Sequence, residues 1–294
     1  MKIRKVLVIG STGMLGSAVF EQLSKTNVKT LHASRSQGIH FDAERDSCED
    51  LLVAAGLETG DYIINCIGLT KTHIFDVDPS SVERAVRLNV MFPIALAGAA
   101  EKLGARIIQV ATDCVFSGLT GGYTESVAHD AHDAYGKSKS LGEVSSANVM
   151  HLRCSLVGPE LAGRSSLFFE WVRTLSDGAT IDGYHDHKWN GLTSRAFGSI
   201  VAGVVSTETF FSGVQHLVPA DALTKFALIK LELNLLGRND VTVNKTSSGT
   251  RVDRTLETRD QVRNELLFSL GGFETVPTIR EMMEQLPWKE LRIR

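Results

Sequence analysis

A four-residue apolar run, Val6-Leu-Val-Ile9, stops at Gly10-Ser-Thr-Gly13-Met-Leu-Gly16 and passes into a helix-periodic stretch. An apolar run of this length, closed by glycine, reads as a strand buried on both faces. The helix is expected over about residues 14–25, with Leu15, Val19 and Leu23 inward. Strand, glycine trio and helix in this order constrain the local shape strongly. Gly10 permits a tight turn, Gly13 leaves the backbone open to approach, and Gly16 lets the helix pack closely. The first helical turn offers unpaired N–H groups and the positive end of the helix dipole. Gly10, Thr12, Gly13, Met14, Leu15 and Gly16 are therefore expected to cradle the pyrophosphate of a dinucleotide.

Further strands are expected at Val28–Ala33, Tyr62–Asn65, Arg106–Ala111 and Val149–Cys154. Helical patterns fall between them at about 47–55, 80–103 and 134–146, and Pro93 should kink or divide the long one. This alternation predicts an α/β fold with a doubly wound parallel sheet. Ligands in such folds bind beyond the C-terminal strand ends, so the loops after Ile9, Ala33, Asn65, Ala111 and Cys154 carry the interest. Beyond residue 155 the alternation weakens. Helices are expected at 167–175, 195–205 and 222–236, a strand at 213–218, and polar turns with short helices to the end. The 294 residues suit a nucleotide-binding domain (1–155 plus 195–218) with a smaller substrate lobe (156–194 plus 219–294).

Composition closes other routes. At 43% hydrophobic and 22% charged, with a net charge of -3, the chain lacks the basic excess of a nucleic-acid binder. Cys48, Cys66, Cys114 and Cys154 form no CxxC pair and read as reduced thiols. No apolar run approaches the roughly 18 residues of a membrane span, and Lys2-Ile-Arg-Lys leads directly into the first strand. A cytoplasmic protein with no membrane partner is the expectation. His185-Asp186-His187 alternates and lacks a helical face, so no metal site is expected.

The second strand ends in Ala33-Ser34-Arg35-Ser36. A carboxylate here would hold the ribose hydroxyls of NAD. Ser34 and Arg35 suit a 2′-phosphate instead, so NADPH is the expected cofactor, with NADH an alternative. Asp42 is a candidate partner for the adenine amino group. Cys66-Ile67-Gly68, a small-residue loop past Asn65, would let the cofactor backbone pass.

Tyr135 and Lys139 lie one helical turn apart in Tyr135-Gly136-Lys137-Ser138-Lys139, and so share a face. A cation beside a phenol lowers its pKa from about 10 toward the working range of a general acid. Thr112 ends a strand, where its hydroxyl can orient a carbonyl and stabilise charge on its oxygen. The three residues predict reduction of a ketone or oxidation of an alcohol.

Together these motifs resemble the extended short-chain dehydrogenases/reductases: GxxGxxG, Ala111-Thr112-Asp113-Cys114-Val115-Phe116-Ser-Gly118, Tyr123-Thr-Glu125 and YGKSK followed by Gly142-Glu143. Within them the chain is most similar to the dTDP-4-dehydrorhamnose reductase group. The resemblance implies a bond from Lys139 to the nicotinamide ribose and adds Asn89 to the cofactor set. It implies a nucleotide-linked 4-keto-6-deoxy sugar as substrate, in surface-polysaccharide synthesis, and a homodimer. Thr70, Asp113, Cys114 and Val115 are then candidate substrate contacts. Trp189 is a candidate to stack on base or sugar, and Arg153, Arg164 or Lys188 to meet a pyrophosphate. The pattern also departs from the group. Cys114 replaces the tyrosine of Thr-Asp-Tyr-Val-Phe. Leu167-Phe168-Phe169 stands where the group carries an Asn-Phe pair. His187-Lys188-Trp189-Asn190-Gly191-Leu192-Thr193 stands for its Asp-Gln-x-Gly-x-Pro-Thr loop. A sugar-nucleotide epimerase or dehydratase is the nearest alternative. A regulatory, cofactor-binding protein like the methionine adenosyltransferase β-subunit is the alternative from another class.

Overall fold

The computed structural model describes residues 4–160 and 167–291. The first half runs β1 (Lys5–Ile9), α1 (Met14–Leu23), β2 (Lys29–Ser34), β3 (Ile39–His40), α2 (Cys48–Ala54), β4 (Tyr62–Asn65), α3 (Pro79–Val86), α4 (Phe92–Leu103), β5 (Arg106–Ala111), α5 (Ala134–Leu141) and β6 (Val149–Arg153). The second runs β7 (Leu156–Val157), α6 (Phe168–Arg173), β8 (Thr180–Tyr184), β9 (His187–Trp189), β10 (Leu192–Thr193), α7 (Ser194–Ser206), β11 (Gly213–His216), β12 (Leu223–Thr224), α8 (Lys225–Leu236), β13 (Thr242–Thr246), β14 (Val252–Asp253), α9 (Gln261–Leu270), α10 (Ile279–Glu284) and α11 (Trp288–Leu291).

Seven parallel strands form the main sheet in the order β3-β2-β1-β4-β5-β6-β11. The chain reverses direction across the sheet between β1 and β4, which opens a crevice at their C-terminal ends. Successive strand residues face opposite sides. Val6 and Val8 of β1 join one core with Tyr62, Ile64 and Ile108, while Leu7 and Ile9 join a second with Ile63 and Ile107. This two-sided burial is what a continuous apolar run requires. The first core continues into α7, α8, α9 and α10 through Phe197, Leu228, Leu267 and Met282.

The long helix expected at 80–103 is divided. A π-helical turn over Arg87–Met91 separates α3 from α4, and Pro93 stands in the first turn of α4. Proline has no N–H to return to the carbonyl one turn back, so the wider turn absorbs the mismatch. Two parts of the chain differ from the sequence reading. The 219–294 segment does not stay together: α8 packs on α6 and β8, whereas α9 packs on α7 over the main sheet. Strands β13 and β14 stand where only turns and helices were expected. β13 reads Thr-Val-Asn-Lys-Thr, largely exposed, and lacks an apolar face to announce it. Among the described residues no helix is long and apolar enough to cross a membrane.

Candidate active site

The glycine turn stands at the sheet crevice. Gly10 has φ +80°, and a methyl there would meet Ile67 Cγ1 at 2.8 Å. At Gly16 a Cβ would fall 2.1 Å from the Gly10 carbonyl oxygen, so only glycine lets α1 begin this close to β1. At Gly13 the same atom finds only that oxygen, at 3.6 Å, and Thr12 and Gly13 are exposed. No side chain caps α1, and its first turn carries no acidic residue. An open, uncapped helix N-terminus of this kind fits a diphosphate. Met14 lies at its edge, half-buried, and Leu15 is buried behind it.

At the end of β2, Arg35 is exposed and has no ion pair among the described residues. Ser34 is spent on its own loop: its hydroxyl accepts from the Gln37 and Ser36 amides at 2.8 and 3.2 Å and donates to the Gln37 carbonyl. The expected Ser34 contact is therefore replaced by loop closure. Asp42 shapes the next turn by accepting from the Glu44 amide at 3.1 Å. Across the crevice the Cys66 amide donates to the Ile9 carbonyl at 3.0 Å, which holds Cys66–Gly68 against the glycine turn. Burial pushes the Cys66 thiol up to about 12.

Asn89 acts from behind this loop. It is 1% exposed; its Oδ1 accepts from the Leu69 amide at 2.8 Å, and its Nδ2 donates to the Leu69 carbonyl and to Ser138 Oγ, both at 3.0 Å. Its amide ties the Gly68–Thr70 loop to α5. Thr70 is exposed on that loop, with its hydroxyl 3.0 Å from His73 Nδ1.

Thr112 ends β5 and caps the turn Asp113–Val115. Its hydroxyl accepts from the Cys114 amide and donates to Asp113 Oδ1, each at 3.2 Å. α5 approaches this turn edge-on. Asp133 caps α5 by accepting from the Gly136 amide at 2.8 Å, and Lys71 pairs with Asp133 at 2.7 Å. Gly136 sets the distance: a Cβ there would lie 2.3 Å from the Cys114 carbonyl oxygen and 2.4 Å from Ala131 Cβ. The missing side chain seats Tyr135, half-buried, within hydrogen-bonding reach of Thr112.

The electrostatics depart from expectation. Burial raises the Tyr135 pKa above its ordinary value, and Cys114 and Asp113 push the same way. The Thr112 hydrogen bond opposes them, and Lys139 is not among the groups that lower it. The expected pull toward neutrality loses to desolvation of the phenolate. The phenol is thus held protonated, the form a proton donor needs. Lys139 Nζ donates to the Val110 carbonyl at 3.2 Å, and a methyl at Gly68 would come within 3.7 Å of it. Burial lowers the Lys139 pKa while the Glu143 carboxylate raises it. Cys114 is a thiol, pushed up to about 12 by burial. Asp113 is buried, its pKa raised by desolvation against the opposing charges of Arg254 and Lys225.

Four other expected substrate contacts stand elsewhere. Val115 is fully buried in a small core with Phe116, Tyr123 and Leu256. Arg153 is 1% exposed and lies behind the site, paired with Glu143 through Nε (3.2 Å) and Nη2. Its Nη1 and Nη2 donate to His216 Nε2 and His129 Nε2, each at 2.8 Å. A guanidinium buried this fully needs a carboxylate and neutral acceptors, and burial holds both histidines low, His216 to about 4. Trp189 is 5% exposed, with its indole N–H donated to Ser155 Oγ at 2.7 Å, so no ring face is open for stacking. Lys188 lies at the rim, 3.5 Å from Asp253. Arg164 lies outside the described residues. Three residues missed in the sequence stand close by: Lys225 and Arg254 beside Asp113, and Glu143 beside Lys139. Glu143 was detectable, one turn beyond Lys139; the other two come from distant segments. In His185-Asp186-His187, His187 Nε2 lies 2.8 Å from Ser248 Oγ, and Asp186 accepts from the Ser248 amide.

Strand order, crevice and glycine turn are those of a doubly wound α/β protein, in which Tyr135 stands within reach of Thr112 and Lys139 reaches the Val110 carbonyl near the end of the same strand. The chain belongs to the family described as RmlD substrate binding domain, whose model matches residues 4–256. Among curated proteins, methionine adenosyltransferase 2 subunit beta of Xenopus laevis is 32% identical over 146 residues, 48% of this chain and 42% of that protein. The match thus spans less than half the length of that relative. The probable low-salt glycan biosynthesis reductase Agl14 of Haloferax volcanii is 28% identical over 262 residues, 84% of this chain and 85% of that one. Among solved structures, the dTDP-4-dehydrorhamnose reductase of Bacillus anthracis in complex with NADP superposes with a TM-score of 0.78 at 20% identity, covering 97% and 98% of the two chains.

Proposed function

We propose that this chain is an NADPH-dependent reductase of a nucleotide-linked 4-keto-6-deoxy sugar, acting in deoxysugar and surface-polysaccharide synthesis. One observation carries the reading: a protonated phenol lies within reach of the hydroxyl that ends β5, and a half-buried ammonium is held on a carbonyl of the same strand. The family and the glycan reductase relative agree with it.

In this reading Gly10–Gly16 holds the cofactor diphosphate and Arg35 its 2′-phosphate, and Lys139 bonds the nicotinamide ribose. The reduced nicotinamide supplies the hydride. Thr112 and Tyr135 both address the substrate carbonyl oxygen, and the Tyr135 O–H delivers the proton that turns it into a hydroxyl. The proton donor does not need a pKa near neutrality, because a developing alkoxide is a far stronger base than phenolate.

Tyr135→Phe should lower kcat by roughly 10²–10⁴-fold while leaving cofactor affinity intact. Loss of reduced-nicotinamide absorbance with a panel of keto-sugar nucleotides measures it, and normal turnover by the variant would remove Tyr135 from the mechanism. One cofactor oxidised per product separates a reductase from an epimerase. Tight cofactor binding without turnover on any substrate would favour the regulatory reading, which the methionine adenosyltransferase relative keeps open. The same proposal places the protein in the cytoplasm, where its four free cysteines stay reduced. It also carries a homodimer, for which α4 and the turn before it offer an apolar edge at Met91 and Ile94, 60% and 50% exposed.

A further inference from the structure

His129 stands in a network whose ring protons follow from the partners alone. The Arg153 guanidinium can only donate, and its Nη2 lies 2.8 Å from His129 Nε2, so that nitrogen accepts and carries no proton. The ring proton is then on Nδ1, which donates to Ser140 Oγ at 2.7 Å. His216 repeats the arrangement on the other side of Arg153: its Nε2 accepts from Nη1 at 2.8 Å, and its Nδ1 donates to the Glu257 carbonyl at 2.7 Å. Both rings are thereby fixed as neutral tautomers. They differ in access. His216 is fully buried, whereas the His129 side chain is 24% exposed. It borders a cavity of about 320 Å³ with Val115, Ala131, Lys137, Ser140 and Leu141.

His129 also touches the helix that carries Tyr135. Its segment is seated by the Asp130 and Ala131 amides, which donate to the Val115 carbonyl at 3.2 and 3.1 Å. Ser140 lies in the last turn of α5. One ring thus ties α5 to Arg153 on β6, the strand beside β5, which ends at Thr112. A second ring proton would set N–H against N–H at Arg153. The charged groups facing the ring are Arg153, Glu143 with a carboxylate oxygen 3.7 Å from Nε2, and Asp130 on its own segment; Lys137 stands on the cavity wall. Burial, together with the Arg153 charge, outweighs the two carboxylates and holds the His129 pKa below its ordinary value.

We propose that His129 is a positioning residue of the catalytic site: as a neutral imidazole it clasps α5 to the Arg153–Glu143 pair and so holds Tyr135 at Thr112. Its kinetic effect rests on the reductase reading. Protonation of the ring opens the clasp.

The test compares wild type, His129→Gln and His129→Phe between about pH 5 and pH 8. Glutamine offers Arg153 an acceptor and Ser140 a donor but takes up no proton; phenylalanine fills the space and offers neither. His129→Phe should lower kcat about tenfold or more at every pH, with the Kd for NADPH unchanged. His129→Gln should come within about threefold of wild-type kcat at the alkaline end and lack the wild type's fall in acid. Normal kcat in His129→Phe would overturn the positioning role. So would a His129→Gln variant as slow as His129→Phe, or as acid-sensitive as wild type. Thermal melting without substrate gives a second readout. The unfolded chain takes up the His129 proton below about 6.5 and the native state only at lower pH, so wild type should lose stability relative to His129→Gln as pH falls through that window. Parallel melting points would overturn the clasp. If the melting points diverge as expected while no keto-sugar nucleotide oxidises NADPH, the reductase reading fails and the clasp on α5 stands.

Discussion

Gly136→Ala tests how closely the site depends on one missing methyl group. The added Cβ would lie 2.3 Å from the Cys114 carbonyl oxygen and 2.4 Å from Ala131 Cβ, where ordinary contact begins at 3.4 Å. α5 must therefore retreat by about 1 Å, and neither obstacle is a flexible side-chain tip that could yield first. Tyr135 precedes Gly136 and moves with the helix, away from Thr112. A misplacement of this size costs about 10²-fold in rate. Overpacking costs about 1–3 kcal/mol, and alanine's better helix propensity returns about 1 kcal/mol. The variant should thus stay folded, lose up to about 2 kcal/mol, and lose about two decades of kcat with a smaller change in KM. Steady-state kinetics and urea unfolding on one preparation separate the two effects. A variant with normal kcat and normal stability would show that α5 does not need this approach, and the geometric account of Tyr135 would fall.

Three further outcomes follow from the geometry. Arg35→Asp removes the one exposed cation at the end of β2 and places a carboxylate where ribose hydroxyls would sit, so the kcat/KM ratio should move from NADPH toward NADH; an unchanged ratio rejects Arg35 as the 2′-phosphate contact. Glu143→Gln leaves the Arg153 guanidinium buried without its counter-charge and should cost about 3–5 kcal/mol in chemical unfolding; an unmoved midpoint would mean the two histidines suffice. Glu232 is fully buried, neither of its oxygens has a hydrogen bond, and burial beside Glu170 raises its pKa well above the usual carboxylate range. The native state then holds a proton that the unfolded chain releases above about 4.5, so this group favours folding at low pH and loses that advantage as pH rises through its native pKa. Glu232→Gln cannot ionise, and its melting point relative to wild type should climb between acid and alkaline buffer; parallel melting curves would argue against a neutral Glu232.

Much of this was readable in the chain because it depends on local spacing. Strand β1, the glycine turn and α1 lie within twenty residues, and Gly16 answers Gly10, a neighbour close in sequence, although Gly10 itself also answers Ile67 across the crevice. The alternation of Val6 and Val8 with Leu7 and Ile9 follows from the strand period alone. Tyr135 and Lys139 share a face by the helix period. The misreadings concern polar residues whose partners are far away. Arg153 looked like a phosphate ligand until Glu143, His129 and His216 closed around it. Trp189 looked like a stacking platform until Ser155 took its N–H. Asn89 looked like a cofactor contact, and the structure shows it tying Leu69 to Ser138.

The amino-acid sequence by itself determined the parallel α/β frame, the glycine turn and the shared helix face of Tyr135 and Lys139, since these follow from short periods and from backbone positions only glycine tolerates. Tertiary structure alone decided which charges face the crevice and how strongly burial acts on them. Desolvation and pairing depend on what surrounds a group in three dimensions, and Lys225 and Arg254 reach Asp113 from segments more than a hundred residues away in the chain.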